Sequence, residues 1–367
     1  DGCWRYRPKC EKDDVDCERA KKLYKGGFVF KIKPPASGME EIAKSRYVIK
    51  DPKRLQRLDN VDCFSPMSRM EQCRYVISEA VERNWDMLQC DIQQAFPTAD
   101  LPEPVWMEVP KCVVDRHPEL KDSYAYVTKA LYGLCHSPRA FNKHLDAWFR
   151  KQGYEVSEED PCLYLKYRYA QATDPTGKTI RKRAELLAAV TTFVDDVVAT
   201  GTTPELKAFR AVLADDFKIR DLGYPTDFLG MQIERDRKAN TVKIHQQKYI
   251  EKICSRYGIE INPADSKLPA PVVYDRYLEP AEDDEPRCDR ALYRSITGSI
   301  MYANIATRPG ICHSVKQLSK YLVDPTERHL KEAYNVLRYL GKTSREGITY
   351  SRARYQTLDP SKSHASN

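Results

Sequence analysis

The chain has 367 residues, of which 41% are hydrophobic and 31% are charged, with only 15 Gly. This composition is typical of a globular protein and excludes a fibrous, low-complexity or disordered chain, and the length allows two or three subdomains. The formal net charge is +7 and the start DGCWRYRPKC lacks the apolar segment of a secretory signal, while no apolar run approaches the roughly 18 residues that would span a bilayer.

The cysteines argue against both a zinc ribbon and a disulfide framework. All 12 are scattered through the chain without a CxxC pair, so reduced thiols in an intracellular protein are the simpler interpretation. Cys3, Cys10 and Cys17 recur every seven residues, but a zinc site there would need a fourth ligand nearby.

Basic residues are concentrated in two zones. Residues 19–57 contain 12 Lys and Arg against three acids, and residues 316–354 contain nine against four. Such zones flanking a more neutral middle would suit a polyanion held in a cleft. A solvated basic surface explains stretches of this size equally well.

The first predicted elements are an extension, two strands, a helix and a third strand. Residues 1–23 are polar without a clear period and read as an N-terminal extension. The runs 28–33 and 46–50 alternate apolar or β-branched residues with basic ones, which is typical of strands with one charged face. Residues 69–84 place apolar side chains at helical spacing, and the strand 88–92 then carries Asp91 near its end.

The middle of the chain predicts alternating helices and strands. A helix is expected over 137–153, with its apolar residues on one face. Residues 186–200 contain two apolar runs around the pair Asp195–Asp196, the pattern of a β-hairpin. The segment Thr203–Glu205 supplies an N-cap and a first-turn proline for the next helix. We therefore expect a βαβ-rich, mixed sheet with helices behind it.

Beyond about residue 240 the pattern becomes helical. A helix over 247–257 is predicted to close on Gly258, and Asp324–Glu327 reads as a capping box before a helix that ends just before Gly341. Residues 275–290 are rich in Pro and acids and are predicted to form a surface loop. These elements predict a separate helical lobe.

The acidic residues in these strands are candidate metal ligands. Asp195 and Asp196 lie between apolar runs, where unpaired buried charges would cost several kcal/mol unless they sit at the hairpin tip or bind a cation. A tight turn alone also favours Asp, and Asp91 could be an ordinary acid at a strand end. Together the two sites could hold two Mg²⁺ ions about 3.5–4 Å apart for in-line phosphoryl transfer. Their separation of about one hundred residues does not establish proximity.

Eight ordered blocks of the sequence point to a known family. They are LQCDIQQAF, ALYGLCHSPRAF, SEEDPCLYLK, FVDD, FKIRDLGYPTDFLGMQIER, YRSITGSIMYA, ATRPGI and LRYLGKTS. In order and approximate spacing they resemble the Ty1/copia-type retrotransposon reverse transcriptases over roughly residues 28–350. The resemblance implies an RNA-directed DNA polymerase that adds dNTPs to a primer 3′-hydroxyl by two-metal phosphoryl transfer.

The same resemblance implies an α+β fold shaped like a right hand. The palm would be an antiparallel or mixed sheet with helices behind it, and the thumb would be helical. The implied bounds are an N-terminal extension (1–23), fingers (24–85 and 105–130), palm (86–104 and 131–240), thumb (241–342) and a C-terminal tail (343–367).

The resemblance also assigns the catalytic acids. Asp91, Asp195 and Asp196 match them, and the carbonyl of Ile92 would join the carboxylates in binding two Mg²⁺ ions, which Mn²⁺ could replace. Asp91 and Asp195 would be the direct ligands and Asp196 a less direct one. Phe96 matches the bulky side chain beneath the sugar of the incoming nucleotide, where its ring would exclude a 2′-hydroxyl. An aromatic core residue is the alternative for Phe96.

Further blocks match positions that bind substrate. KSRYVIK resembles the fingers block in which Lys44 and Arg46 would grip the triphosphate, Arg in bidentate fashion, although Asp51 stands where that block usually has Gly and Pro52 follows it. The palm block near the templating base would correspond to Gly133, Ser137 and Pro138. The hairpin that positions the primer end would correspond to Phe228, Leu229 and Gly230.

Two departures from the family pattern are clear. AFPTA replaces the usual AFLNG and puts Pro97 directly behind Phe96, which constrains the backbone and removes a hydrogen-bond donor. The family normally continues into an RNase H domain that opens with a YSDADW-like block, where this chain has YSRARY with Arg352 and Arg354 in place of the acids. We therefore expect no RNase H activity.

Three functions remain open at this point. The leading one is reverse transcription, with an RNA template, a DNA or RNA primer, the RNA–DNA hybrid and dNTPs as partners, and with no membrane partner. The second is a domesticated protein, catalytically weak or inactive, that binds RNA or RNA–DNA hybrid. The third is a mainly structural particle subunit. The expected location is intracellular, in a cytoplasmic particle for the retrotransposon enzyme or in the nucleus for a domesticated form.

Overall fold

The computed structural model describes two compact units. The first comprises Asp1–Gln72 and Leu88–Gly223, and the second comprises Cys73–Met87 and Tyr224–Asn367. Both combine helices with sheets, so the expected α+β class is confirmed. The residues that the structure describes are 2–9, 23–33, 42–50, 63–173, 179–260 and 278–352.

The elements follow the chain in an alternating order of strands and helices. In the first half they are β1 (Trp4–Pro8), β2 (Leu23–Lys33), β3 (Ile42–Lys50), α1 (Met70–Glu82), β4 (Asp86–Ile92), α2 (Ala95–Thr98), β5 (Asp100–Glu108), α3 (Lys111–Val114), β6 (Ser123–Lys129), α4 (Ser137–Lys151), β7 (Glu155–Val156) and β8 (Leu163–Thr173). In the second half they are β9 (Thr179–Phe193), β10 (Asp196–Gly201), α5 (Thr203–Asp216), β11 (Ile219–Gly223), β12 (Asp227–Phe228), β13 (Met231–Asp236), β14 (Thr241–His245), α6 (Gln247–Arg256), α7 (Arg290–Ala306), α8 (Cys312–Ser319), α9 (Glu327–Lys342) and β15 (Gly347–Ser351).

Two sheets form the framework of the first unit. A five-stranded sheet has the order β1-β6-β5-β2-β3, and a six-stranded sheet has the order β11-β4-β10-β9-β8-β7. Four strand pairs of the larger sheet have a defined register and all four are antiparallel, whereas β2 and β5 pair in parallel. The larger sheet is therefore built mainly from hairpins rather than from the βαβ units that we expected.

The predicted helix over 137–153 is confirmed as α4, and it forms much of the first core. Phe141, Leu145 and Phe149 are buried on one face of α4, as the helical spacing requires. The ring of Phe149 stacks on that of Tyr164 from β8 at 3.9 Å between ring centres. Each such buried side chain stabilises the fold by about 1.5–3 kcal/mol, so α4 is fixed against the sheet.

The N-terminal segment is more ordered than its composition indicated. Residues 1–23 were expected to be an extension, yet Trp4–Pro8 forms β1, an edge strand that pairs with β6 in antiparallel register. Arg7 lies over the ring of Tyr126 at 4.6 Å from its centre. The pairing stabilises β1 through a partner more than one hundred residues away in sequence, so no local pattern could reveal it.

The second unit combines a four-stranded antiparallel sheet, ordered β12-β13-β14-β15, with helices α6 to α9. Its core includes Tyr293, Ile296 and Ile300 of α7 and Val336 and Leu337 of α9, all fully buried. The lobe beyond residue 240 is therefore helical in its core, but strands β14 and β15 make it less purely helical than we expected. No helix in the described ranges has the length and apolar character needed to cross a bilayer.

The helix starts differ from prediction by small shifts. The Asp324–Glu327 capping box was wrong, because the N-cap of α9 is Thr326, whose hydroxyl accepts a hydrogen bond from the His329 backbone while His329 Nδ1 accepts from the Thr326 backbone. Asp324 instead pairs with Arg287 at 3.0 Å. Helix α9 also continues through Gly341 to Lys342, and the N-cap of α5 is Thr202.

Candidate active site

The candidate site begins with two acidic positions on neighbouring strands. Asp91 lies on β4, which is adjacent to β10 in the six-stranded sheet, and Asp195 and Asp196 lie at the turn from β9 into β10. The backbone N–H of Ile92 donates to the carbonyl of Asp195 at 2.8 Å. This hydrogen bond joins the two acidic positions, which lie far apart in sequence.

The turn that carries Asp195 has a strained backbone. Phe193 and Asp196 face each other across the hairpin, so Val194 and Asp195 form a two-residue turn. Of these two residues only Val194 has a positive φ, 59°, which corresponds to a type II′ turn. A β-branched residue in this region costs about 1–3 kcal/mol. Val194 is half-buried and lines a small pocket with Phe141, and this strained residue directly precedes Asp195.

The tyrosine next to these acids was missed by the sequence analysis. Burial raises the pKa of Tyr132, and the charges of Asp195 and Asp91 raise it further, while the guanidinium of Arg46 opposes them. Both carboxylates therefore lie close enough to act on one hydroxyl group. The available signal was the position of Tyr132 directly before Gly133.

Two predicted substrate-binding residues contact the ring of Tyr132. The guanidinium of Arg46 lies 4.9 Å from the centre of the Tyr132 ring, and the Phe96 ring lies 4.8 Å from it. A cation held over an aromatic face is stabilised by about 0.5–2 kcal/mol. Arg46 and Phe96 therefore contact the same tyrosine ring, and the charges of Asp91 and Asp195 act on its hydroxyl group.

The loop before α4 is held against β3 by close backbone contact. Gly133 has a φ of 96°, and a Cβ atom there would lie 1.9 Å from the carbonyl oxygen of Ile49. The Ile49 N–H donates to the carbonyl of Tyr132 at 2.7 Å. The loop therefore approaches β3, the strand that carries Arg46, so closely at Gly133 that a side chain would clash with the backbone.

The remaining predicted residues of this loop begin α4. Ser137 is buried and its hydroxyl donates to the carbonyl of Leu131 at 2.6 Å. Pro138 occupies the first turn of α4, where its missing N–H costs nothing because that donor would have no helical partner. These two residues shape the loop that holds Tyr132 and Gly133.

The primer hairpin predicted at residues 228–230 lies in the second unit. Phe228 is buried and ends β12, and Leu229 and Gly230 form the two-residue turn into β13. Their φ values are 48° and 75°, which corresponds to a type I′ hairpin. The hydroxyl of Tyr302 donates to the Leu229 carbonyl at 2.6 Å, so a helix of the same unit fixes this turn.

Some predicted residues cannot be placed fully. Lys44 lies on β3 with its backbone paired to Lys31 of β2, but its side chain is outside the described part of the structure. Asp51 and Pro52, and Arg354 of the YSRARY segment, also fall outside the described residues.

The donor atoms at the site suit a hard divalent cation. Within the described ranges, no three His, Cys, Asp or Glu side chains form a metal-binding group by themselves. Mg²⁺ is usually held by one or two carboxylates, with waters and substrate phosphates completing the shell, rather than by an all-protein cage. Asp91, Asp195 and the Ile92 carbonyl supply oxygen donors of this kind. The residues present therefore fit Mg²⁺ that binds together with substrate.

Comparison with known proteins identifies the family. The model of the family described as reverse transcriptase (RNA-dependent DNA polymerase) matches residues 13–269. The chain is 28% identical over 342 residues to the retrovirus-related Pol polyprotein from transposon TNT 1-94 of Nicotiana tabacum, covering 92% of this chain and 24% of that protein. It is 30% identical over 331 residues to the Pol polyprotein from transposon RE1 of Arabidopsis thaliana, covering 88% and 20%.

A shorter relative matches over a larger share of its length. The putative transposon Ty5-1 protein YCL074W of Saccharomyces cerevisiae is 26% identical over 266 residues, which cover 71% of this chain and 78% of that protein. The chain spans about a quarter or less of the two plant polyproteins. The family match covers more than half of the chain, and the resemblance seen in the sequence blocks is confirmed. The chain therefore belongs to the reverse transcriptase (RNA-dependent DNA polymerase) family, as a copia-type retrotransposon reverse transcriptase region.

Proposed function

We propose that this chain synthesises DNA on an RNA template by adding dNTPs to the 3′-hydroxyl of a primer. The observation that carries the proposal is the hydrogen bond from the Ile92 N–H to the Asp195 carbonyl, because it joins the segments that carry Asp91 and Asp195 in a member of the reverse transcriptase family. Template RNA, a DNA or RNA primer, the hybrid product and dNTPs are the partners that this reaction requires.

The acids and one carbonyl would hold the metal ions. Asp91 and Asp195 with the Ile92 carbonyl would bind two Mg²⁺ ions, or Mn²⁺ in their place, and Asp196 would contribute less directly. When bound, such ions lower the pKa of the primer hydroxyl and neutralise charge on the triphosphate. Asp91 lies on β4 and Asp195 lies in the β9–β10 turn, and the hydrogen bond between Ile92 and Asp195 joins these two elements, which would keep the carboxylates in place without rearrangement during the reaction.

The residues around Tyr132 would position the nucleotide. Arg46 would donate two hydrogen bonds to the triphosphate, and the Tyr132 ring would hold its guanidinium in place. Phe96 would lie beneath the sugar and exclude a 2′-hydroxyl by its size. The loop with Gly133, Ser137 and Pro138 would face the templating base, and Lys44 would assist Arg46.

The right-hand arrangement follows from the same assignment. The sheet that carries Asp91 and Asp195 would form the palm, and β2 and β3 would form part of the fingers. In the second unit, Phe228, Leu229 and Gly230 would hold the primer end, and helices α6 to α9 would form the thumb that contacts the duplex through its phosphates.

The deciding experiment measures extension of a DNA primer on an RNA template with dNTPs and Mg²⁺. Replacing Asp195→Asn removes a ligand charge worth several kcal/mol in the transition state, so we expect extension to fall by about 100-fold or more. Duplex affinity should stay within about twofold, because phosphate contacts by basic residues dominate binding.

The matched control is Asp215→Asn, which makes the same chemical change at an exposed position of α5. It should leave extension and binding unchanged. A wild-type chain that binds the duplex but extends no primer with either Mg²⁺ or Mn²⁺ would contradict the proposal and leave a nucleic-acid-binding protein.

A further inference from the structure

Strands β8 and β9 continue beyond the sheet as a two-stranded ribbon. We define this ribbon as the arm, residues 167–173 and 179–185. Strand β7 pairs with β8 only at Tyr164 and Leu165, and β10 pairs with β9 only between Ala188 and Phe193. In the arm the two strands pair with each other, up to Thr173 opposite Thr179. Every residue of the β9 half of the arm is exposed.

The arm and its base have a net positive charge. Residues 163–193 contain six Lys and Arg and two Asp and Glu, a net charge of +4 out of the +7 of the whole chain. The basic zones at residues 19–57 and 316–354 do not include this segment, which lies in the more neutral middle of the chain. Some of these charges form ion pairs, such as Arg168 with Glu185 at 3.0 Å. Exposed pairs of this kind contribute about 0–1 kcal/mol, so a phosphate can displace them.

Two arginines and two tyrosines alternate on one face of the arm. Tyr167 and Tyr169 are two residues apart on β8 and so point to the same face, and Arg183 lies directly opposite Tyr169. The Arg183 guanidinium lies 5.0 Å from the Tyr167 ring centre, and that of Arg181 lies 4.4 Å from the Tyr169 ring centre. Stacking limits the motion of each guanidinium, which reduces the entropy lost when it binds an anion. Arg183 also forms an ion pair with Glu155 of β7, which a phosphate would have to displace.

The arm is far from the reacting atoms. Strand β9 leads from Arg183 to Phe193 at the candidate site, and these ten steps at about 3.3 Å each span roughly 33 Å. A nucleic-acid strand advances about 3.4 Å per base pair, so the arm lies about ten base pairs from the site along β9. It can therefore affect the binding of a long substrate but cannot take part in the chemical step.

We propose that the arm binds the phosphate backbone of the nucleic acid on which the polymerase acts. The inference rests on the proposed function and adds a binding surface to it. The partner is a phosphodiester polyanion because a stacked guanidinium offers the paired N–H groups that match phosphate oxygens. An exposed two-stranded ribbon can also enter the major groove of B-form DNA. The test distinguishes three sources of these phosphates: RNA–DNA hybrid, DNA duplex and single-stranded template.

The test compares two variants of the full chain that lose equal charge. The arm variant is Arg181→Gln, Lys182→Gln and Arg183→Gln. The control variant is Lys111→Gln, Arg116→Gln and Lys121→Gln, three exposed positions elsewhere in the first unit. Affinity is measured by fluorescence anisotropy at several salt concentrations. The three probes, each long enough to reach the arm at about 20 base pairs or nucleotides, are RNA–DNA hybrid, DNA duplex and single-stranded RNA.

We expect the arm variant to bind at least one probe about tenfold more weakly than wild type at low salt. Its salt slope should fall by about two units, because each lost phosphate contact contributes about 0.7–0.9. The control variant should change affinity by less than about twofold, since the same net charge is lost away from the arm. The probe that loses most affinity identifies the source of the phosphates. Equal affinities of the two variants for all three probes would overturn the proposal.

Two further readouts separate binding from folding and chemistry. Replacing both Arg181 and Arg183 by Lys keeps the charge but removes the planar guanidinium groups that stack on the tyrosines. We therefore expect a loss of affinity between that of wild type and that of the arm variant. In primer extension the arm variant should raise the KM for template–primer and leave kcat unchanged, and a fall in kcat alone would contradict the proposal. If the wild-type chain extends no primer, the proposed function fails, while the affinity comparison still decides whether the arm binds nucleic acid.

Discussion

Phe96 lies in α2 with its ring between two other aromatic rings. The centres of the Tyr132 and Phe141 rings are 4.8 Å and 6.2 Å from it, and Phe141 belongs to the core of the first unit. Phe96 is therefore half-buried and fixed by contacts on more than one side. Phe96 packs against the core of the first unit, and its role beneath the nucleotide sugar stays a prediction.

At the residue scale we predict that Phe96→Ala relaxes sugar selection. Removing the ring opens space for a 2′-hydroxyl, so the ratio of kcat/KM for dNTPs over ribonucleotides should fall by about tenfold or more. Phe96→Leu keeps apolar contact with the core and should give a smaller fall. Single-nucleotide incorporation by the wild-type chain and both variants measures the ratio.

The matched control for this prediction is Phe30→Ala, which removes the same ring from a position that is 76% exposed on β2. It should leave the selectivity unchanged. An unaltered ratio in Phe96→Ala would remove Phe96 from its proposed role and leave it as a core residue.

At the scale of elements, the contact between β3 and the loop before α4 decides where Arg46 lies. The loop approaches so closely at Gly133 that no side chain fits against the Ile49 carbonyl. Hydrogen bonding between Ile49 and Tyr132 completes the contact. The position of the proposed triphosphate-binding arginine thus depends on a glycine outside its own strand.

We predict that Gly133→Ala destabilises the first unit and displaces β3. The left-handed backbone costs about 1–2 kcal/mol for Ala, and the clash with Ile49 adds about 1–3 kcal/mol. Gly153 also has a positive φ, 80°, but a Cβ there has no atom within 4 Å. Gly153→Ala should therefore lower the free energy of unfolding only by the cost of the left-handed backbone, about 1–2 kcal/mol.

Urea unfolding of the two glycine variants measures this difference, and the KM for dNTPs reports the position of Arg46. We expect the KM to rise in Gly133→Ala and to stay at the wild-type value in Gly153→Ala. Equal stabilities of the two variants would show that β3 moves away at little cost, contrary to the proposed role of the contact.

At the scale of the whole molecule, the two units have separate cores. The core of the first unit contains Leu213 of α5, and that of the second contains Leu337 of α9, both fully buried. The chain passes into the second unit within α1 and returns within β4. Units with their own cores can unfold as separate cooperative steps.

We therefore predict two transitions in calorimetric unfolding, each assigned by one core substitution. Leu213→Ala and Leu337→Ala should each cost about 2–5 kcal/mol through the cavity left behind, which lowers one transition by about 5–15 °C and leaves the other in place. A single transition that both substitutions lower by the same amount would show that the molecule unfolds as one unit.

The sequence by itself determined the elements whose pattern is local. Helix α4 followed from apolar residues at helical spacing and from Pro138 in its first turn, and the β9–β10 hairpin followed from two apolar runs around Asp195–Asp196. These predictions succeed because backbone hydrogen bonds of a helix or tight hairpin join residues that are near in sequence. The ordered blocks also determined the family, since each block is itself a local pattern.

Only the tertiary structure decided which of these elements meet. The proximity of Asp91 to Asp195, the pairing of β1 with β6 and the contact of Gly133 with Ile49 all join residues that are distant in sequence. The gathering of Arg46 and Phe96 around Tyr132 and the stacked arginines of the arm belong to the same class. Each depends on strand register and on the excluded volume of neighbouring backbone, which a pattern along one segment does not contain.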